Sequence, residues 1–179
     1  MPAELPDKRQ FHQPGVRRAT ADNEQMVQEE LTVSNAPAKS EPFILFELAG
    51  TTYGIPSQAV QQMEMVENIT PVPNAPPFVE GVAFARGQVV PAINLRRRFG
   101  FEVIPHDIRS RLIVVSHQNR VVGLLVDSAR EFVTLPQESI QPPPETLFGL
   151  SGRYLRSIAR VGERLILILD LDSVLHLAD

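Results

Sequence analysis

The sequence of 179 residues contains no cysteine and no tryptophan, and aromatic residues make up only 6% of it. The absence of cysteine excludes disulfides, thiolate nucleophiles and cysteine-based zinc sites, and it is compatible with a reducing cytoplasm. An excess of basic residues is also missing, since the formal net charge is −4. A general nucleic-acid-binding surface, which relies on surplus Lys and Arg, is therefore disfavoured.

Long hydrophobic runs are absent as well. The longest nearly apolar run, LILIL at residues 165–169, ends at Asp170 and is far too short to cross a bilayer. The first residues, MPAELPDKRQFHQPG, lack the apolar core of a signal peptide. We predict a soluble, cytoplasmic protein that reaches the membrane only through a partner.

Catalytic and metal-binding signatures are also missing. The sequence has no HExxH, GxGxxG, GxxxxGK[ST] or GxSxG motif. The histidines do not lie at metal-ligand spacing from one another; they are His12, His106, His117 and His176. Asp170 and Asp172 resemble a metal pair, but a helix N-cap followed by an acid in the first helical turn explains them better. We therefore predict a protein that is not an enzyme and that uses no metal or other cofactor.

The first 41 residues differ from the rest of the chain. Prolines punctuate them, charges of both signs are mixed, and periodic apolar residues are scarce. Such a segment buries too little surface to offset its ordering entropy. We predict a disordered tail over residues 1–41, either inert or able to dock a partner, and one folded domain over residues 42–179.

From residue 43 the pattern predicts roughly ten short strands joined by tight turns, with little helix. A helical turn is expected at 57–62, and short helices are expected at 95–99 and 171–177, capped by Asn94 and Asp170. This all-β pattern is typical of barrels or a sandwich. The predicted strands are 43–48, 51–55, 63–66, 81–86, 88–93, 111–116, 120–126, 130–135, 157–161 and 164–169.

The two halves of this region repeat one another. Each contains a strand with a central glycine, a proline stretch, a hairpin, and then a strand, a polar cap and a short helix. Gly54 corresponds to Gly123, and Asn94 corresponds to Asp170. A repeat of this kind predicts two similar small barrels.

The stretch GVAFARGQVVPAINLR at residues 81–96 resembles the signature of the CheW family, G-V-x-N-L-R-G-x-x-x-P-x-x-D-L-R. The opening hairpin, the proline-containing link, the second-half hairpin and the closing strand and helix also resemble that family, in order, from residue 43 to about 177. The resemblance implies two intertwined five-stranded SH3-like barrels with short helices. It implies a scaffold that couples methyl-accepting chemoreceptors to a CheA-type histidine kinase.

The resemblance also implies a receptor-binding site formed by Val60, Gln62, Arg86, Gly87 and Gly123, while the kinase-binding residues stay unassigned. Val60 would supply apolar contact and Gly87 a close backbone approach. Arg86 is either a receptor contact or an internal strut, and Gly123 is either a contact or a packing position. These receptors would be reached in arrays at the inner membrane.

Departures from the family pattern bear on which receptor is recognised. Phe84 and Ala85 stand where the family usually has Asn and Leu, and Gln62 replaces an acid that many members carry. If Arg86 has an ionic partner, Glu64 is the alternative, two residues along the strand and on the same face. The cluster of Arg96, Arg97 and Arg98 is read either as a solubilising face or as a contact for an acidic partner.

Two other functions are retained as alternatives. A small-barrel nucleic-acid-binding protein would need exposed aromatic residues interleaved with Lys and Arg, and the sequence has few aromatics. The other alternative is a stand-alone regulator, such as a CheV-like protein that has lost its receiver domain, since the sequence after the closing helix leaves no room for a phospho-accepting receiver.

Overall fold

The computed structural model describes residues 39–147 and 152–176. The predicted tail falls almost wholly outside these residues, and the first strand begins at Ser40. The described residues form eleven strands: β1 Ser40–Leu48, β2 Thr51–Pro56, β3 Val60–Met65, β4 Val79–Ala85, β5 Gln88–Asn94, β6 Arg111–His117, β7 Arg120–Val126, β8 Ser128–Pro136, β9 Ile140–Gln141, β10 Leu155–Val161 and β11 Arg164–Leu169. Two short helices, α1 Leu95–Arg98 and α2 Leu171–Val174, follow β5 and β11. The ten predicted strands are all present, and β9 adds a two-residue strand.

The two sheets exchange their hairpins. The five-stranded sheet has the order β3-β6-β7-β5-β4, and the six-stranded sheet has the order β8-β1-β2-β11-β10-β9. The β1–β2 hairpin of the first half thus pairs with strands of the second half, and β6–β7 of the second half pairs with strands of the first. We call the five-stranded sheet the first barrel and the six-stranded sheet the second barrel. The predicted intertwined, all-β architecture is confirmed.

The internal repeat is visible in the register of the strands. Leu45 pairs with Gly54 in one barrel as Val114 pairs with Gly123 in the other. Parallel pairs join β2 to β11 and β5 to β7 at the same two glycines. The sequence repeat therefore reflects two copies of one strand arrangement, each completed by the hairpin of the other.

Three clusters of apolar side chains hold this arrangement together. The largest, which includes Phe46, Ile55, Ile113 and Leu124, takes residues from both sheets and both helices. The other two fill the interiors of the first and second barrels separately. Successive residues of a strand point to opposite faces, so one face of a strand can line its own barrel while the other packs on the shared cluster. Both faces therefore carry apolar residues.

The predicted caps are observed. The Asn94 side chain accepts a hydrogen bond from the Arg97 N–H at 3.2 Å, and Asp170 accepts one from the Asp172 N–H at 3.2 Å. The backbone N–H groups of these cap residues donate to the carbonyls of Phe78 and Tyr154. Each helix is thereby fixed to the residue that precedes the hairpin of its own half.

Candidate partner-binding site

The turn between β4 and β5 carries Arg86 and Gly87 at the tip of a hairpin. Both residues have positive φ, +45° and +80°, and both are exposed. A Cβ on Gly87 would meet no atom within 4 Å, so this glycine satisfies the turn conformation rather than a crowded position. In the described residues, Arg86 forms no hydrogen bond or ion pair. No contact within the described residues supports the interpretation of Arg86 as an internal strut, and its role as a receptor contact stays a prediction.

Val60 and Gln62 lie on β3, which forms an edge of the first barrel. The prediction of a helical turn over 57–62 is wrong for its second half, because the 3-10 turn covers only Ser57–Ala59. A shift in register separates the pairs Val60–Val115 and Gln62–Val114. This bulge turns Val60 toward the central cluster and Gln62 toward the face that lines the first barrel.

Gly123 is buried on β7 and paired with both β5 and β6. A Cβ at this position would lie 2.4 Å from Cδ1 of Leu112. The glycine thus makes room for a core leucine, which supports the packing interpretation. Its role as a receptor contact stays a prediction.

Glu64 and Gln62 share one face of β3, as expected, since they pair with Leu112 and Val114 of one barrel interior. The structure shows no ion pair between Glu64 and Arg86 in the part of the chain that it describes. The hypothesis that Glu64 supplies a partner for Arg86 is therefore not supported by the geometry.

Two exposed apolar residues flank the hairpin tip, and they were not among the predicted site residues. Phe84 is 70% exposed and Val89 is 63% exposed. They face each other as a cross-strand pair on β4 and β5. This pair forms a small exposed apolar surface beside the hairpin tip, and such a surface is a candidate for a protein contact. In the sequence, the one indication of this apolar pair was Phe84, which stands at a position where the family usually has Asn.

Most of the arginine cluster has structural contacts, and neither the solubilising face nor the contact for an acidic partner involves all three side chains. Arg96 forms a bidentate ion pair with Asp127, with nitrogen–oxygen distances of 2.8 and 2.6 Å. Arg98 is buried, with 5% of its surface exposed. Only Arg97 is exposed, and its guanidinium donates to the Pro77 carbonyl at 3.4 Å.

Asp127 links the end of β7 to the turn between β1 and β2. Burial raises the pKa of this carboxyl, but hydrogen bonds from Arg96 and from the Ala49 N–H outweigh it and hold the pKa below its ordinary value. The hydrogen bond to Asp127 raises the pKa of Arg96. Asp127 therefore stays ionised at neutral pH and stabilises the contact between the two halves.

The described residues contain no group of three or more His, Asp or Glu side chains that could hold a metal ion. His117 contacts Asp172 at 2.6 Å and His106 contacts Glu80 at 2.8 Å. The search of the described residues found no helix long and apolar enough to span a membrane.

Comparisons with known proteins agree with this architecture. The model of the CheW-like domain matches residues 42–179. The chemotaxis protein CheW of Klebsiella aerogenes is 33% identical over 135 residues, covering 75% of this chain and 81% of that protein. Protein FrzA of Myxococcus xanthus is 30% identical over 104 residues, covering 58% of this chain and 65% of that protein. The crystal structure of the scaffolding protein TtCheW from Thermoanaerobacter tengcongensis superposes with a TM-score of 0.72 at 29% identity, covering 77% of this chain and 94% of that one.

A pair of interlocked small barrels is the architecture that this chain shares with the solved CheW scaffolding protein. The chain belongs to the CheW-like family, and the predicted role in chemosensory signal transduction is confirmed at the level of that family.

Proposed function

We propose that this protein is a non-catalytic cytoplasmic scaffold that couples methyl-accepting chemoreceptors to a CheA-type histidine kinase in receptor arrays at the inner membrane. One observation carries the receptor part of the proposal. The β4–β5 hairpin presents Arg86, whose guanidinium has no partner among the described residues, between two exposed apolar side chains, Phe84 and Val89. A cation beside an apolar anchor is typical of a protein contact that combines burial with a directed hydrogen bond.

The hairpin suits a helical partner. The apolar pair would pack on the nonpolar stripe of a receptor helix, and Arg86 would donate to side chains or to carbonyls near it. Gly87 leaves the turn without a side chain, so a helix backbone can approach the tip closely. Partly buried Val60 adds apolar surface on the other edge of the same barrel.

A second surface is available for the kinase. Phe132 and Leu165 lie in the other sheet and are 63% and 56% exposed. They are carried by β8 and β11, whereas the hairpin tip is formed by β4 and β5. Because the two apolar surfaces lie in different barrels, one scaffold can contact a receptor and a kinase at once.

The experiment is co-sedimentation of the full chain with receptor-containing membranes and a CheA-type kinase at micromolar concentrations. Arg86→Glu should reduce retention of the protein on receptor membranes by about tenfold or more, since it reverses a charge at the contact. Arg156→Glu is the matched control, because Arg156 is also exposed and unpaired in the described residues but lies in the second barrel.

Failure of the unmodified protein to retain either partner would contradict the proposal. Equal losses for Arg86→Glu and Arg156→Glu would contradict the assignment of the hairpin as the receptor contact. Phe132→Asp should weaken kinase retention while receptor retention stays intact, which distinguishes the two surfaces.

A further inference from the structure

The first barrel contains an open groove of about 520 Å³. It lies between the end of edge strand β3 and strand β4, with Ala83, Leu112 and Leu125 among its apolar lining. The irregular segment from Val66 to Ile69 forms one wall. A concave apolar space of this size is in the range that ligands occupy.

The groove exists because the first barrel is filled with smaller side chains than the second. The two barrel interiors can be compared residue by residue, because Gly54 and Gly123 occupy the same position in the strand pairing of their barrels. At four matching interior positions the second barrel has the larger residue: Phe43 against Leu112, Leu45 against Val114, Ile166 against Val90, and Ile168 against Ala92. Identical strand geometry with less side-chain volume leaves a space in the first barrel.

A carboxylate also replaces an apolar residue in the first barrel. Glu64 pairs with Leu112, and the corresponding residue of the second barrel, Val133, pairs with Phe43. Glu64 is half-buried and lines the groove together with exposed Glu67. Neither carboxylate has a cationic partner in the described ranges. A half-buried acid without a counter-charge favours a cationic ligand group.

The backbone beside the groove is unpaired, unlike that of the second barrel. In the second barrel, strand β8 runs on to Pro136, and the Gln137 N–H then donates to the Lys39 carbonyl. In the first barrel, residues 67–69 form no backbone hydrogen bond to the rest of the described chain. Edge strand β3 and this segment therefore offer free donors and acceptors to an extended peptide.

We propose that the groove of the first barrel binds an extended peptide segment that presents one large apolar side chain between two Lys or Arg residues. The apolar side chain fills the space above Ala83, and the cationic groups lie near Glu64 and Glu67. In a strand, residues two apart point to the same face, so the matching pattern is cation, spacer, apolar, spacer, cation. This binding does not depend on the receptor or the kinase.

The test is fluorescence anisotropy of a labelled KTLTK peptide with the full chain at low salt. We expect saturable binding that weakens at least about fivefold when the peptide is changed to ETLTE or to KTATK. Glu64→Gln should weaken KTLTK binding by a similar factor. Glu163→Gln is the control, because Glu163 is exposed in a turn of the second barrel and should leave binding unchanged.

Ala83→Leu fills the groove and should abolish binding, provided that circular dichroism shows a folded protein. If Ala83→Leu does not fold, the test depends on Glu64→Gln, which removes no packing. Absence of saturable KTLTK binding to the unmodified protein would overturn the proposal. Equal binding of KTLTK and ETLTE, or an unchanged affinity of Glu64→Gln, would also overturn it. Loss of receptor or kinase retention in co-sedimentation affects none of these outcomes, so the two proposals fail separately.

Discussion

Replacement of buried Arg98 by methionine should destabilise the protein by about 3 kcal/mol. Arg98 extends from α1 and donates to the carbonyls of Ser173 and His176 at the end of α2. Its guanidinium lies 3.9 Å from the ring centre of Phe78 and 5.2 Å from that of Tyr154. Phe78 and Tyr154 occupy matching positions in the two halves, so the contacts of Arg98 connect the first half to the second.

The magnitude follows from opposing contributions. Hydrogen bonds from a charged group contribute about 1.5–3 kcal/mol each, and a desolvated cation–π contact contributes about 2 kcal/mol. Against these stands the desolvation of a buried guanidinium, which amounts to several kcal/mol, and its Nε has no hydrogen-bond partner among the described residues. Methionine keeps the apolar stem but removes both hydrogen bonds and the cation–π contacts, which together outweigh the desolvation and place the net loss near 3 kcal/mol.

The assay is urea denaturation at neutral pH, supported by calorimetry. A loss of about 3 kcal/mol corresponds to a fall in Tm of roughly 9 °C for a domain of this size. Arg97→Met is the control and should change the free energy of unfolding by less than about 0.5 kcal/mol, because Arg97 is exposed. A loss below about 1 kcal/mol for Arg98→Met would refute the reasoning, since desolvation of the guanidinium would then cancel its contacts.

Three further substitutions test one ion pair and two close contacts at glycines. Because the pKa of Asp127 is lowered in the folded state, its stabilising effect is complete above about pH 4 and is lost as the pH falls through the folded-state pKa. Asp127→Asn should thus lower stability at pH 7, and urea titrations should show the difference shrinking below about pH 4; a constant difference would count against this account. Gly81→Ala would place a Cβ 2.2 Å from the carbonyl oxygen of Thr70 and should cost about 2–3 kcal/mol in the same assay, whereas an unchanged stability would show that the backbone at Thr70 can shift. Gly123→Ala meets the Leu112 side chain instead and should lower Tm measured by calorimetry without changing receptor retention; a selective loss of retention would favour a contact role.

The strands and caps were predictable from local sequence, because alternation, turn residues and capping residues act over a few positions. Asn94 and Asp170 are examples, since each caps a helix within its own segment. The exchange of hairpins between the barrels was not predictable from periodicity, because the alternation of residues in a strand does not specify which other strand it pairs with. Only the resemblance to the family supplied it.

The site was predicted less completely than the fold. The bulge that turns Val60 and Gln62 to different faces depends on one additional residue in the ladder, and alternation in the sequence gives no sign of it. The burial of Arg98 was also not predicted. The sequence alone does not show which of three consecutive arginines is buried, because this depends on the positions of Phe78 and Tyr154.

Glu64 illustrates how the repeat becomes informative once the register is known. In the sequence it was only a candidate ion-pair partner for Arg86. Paired with Leu112, it occupies an interior position that Val133 fills in the second barrel. A barrel built only for stability would carry an apolar residue at both positions, because an unpaired half-buried carboxylate opposes folding. The two barrels share one strand arrangement, so a feature found in only one of them is not required by the fold. The groove and its negative charge are such a feature of the first barrel.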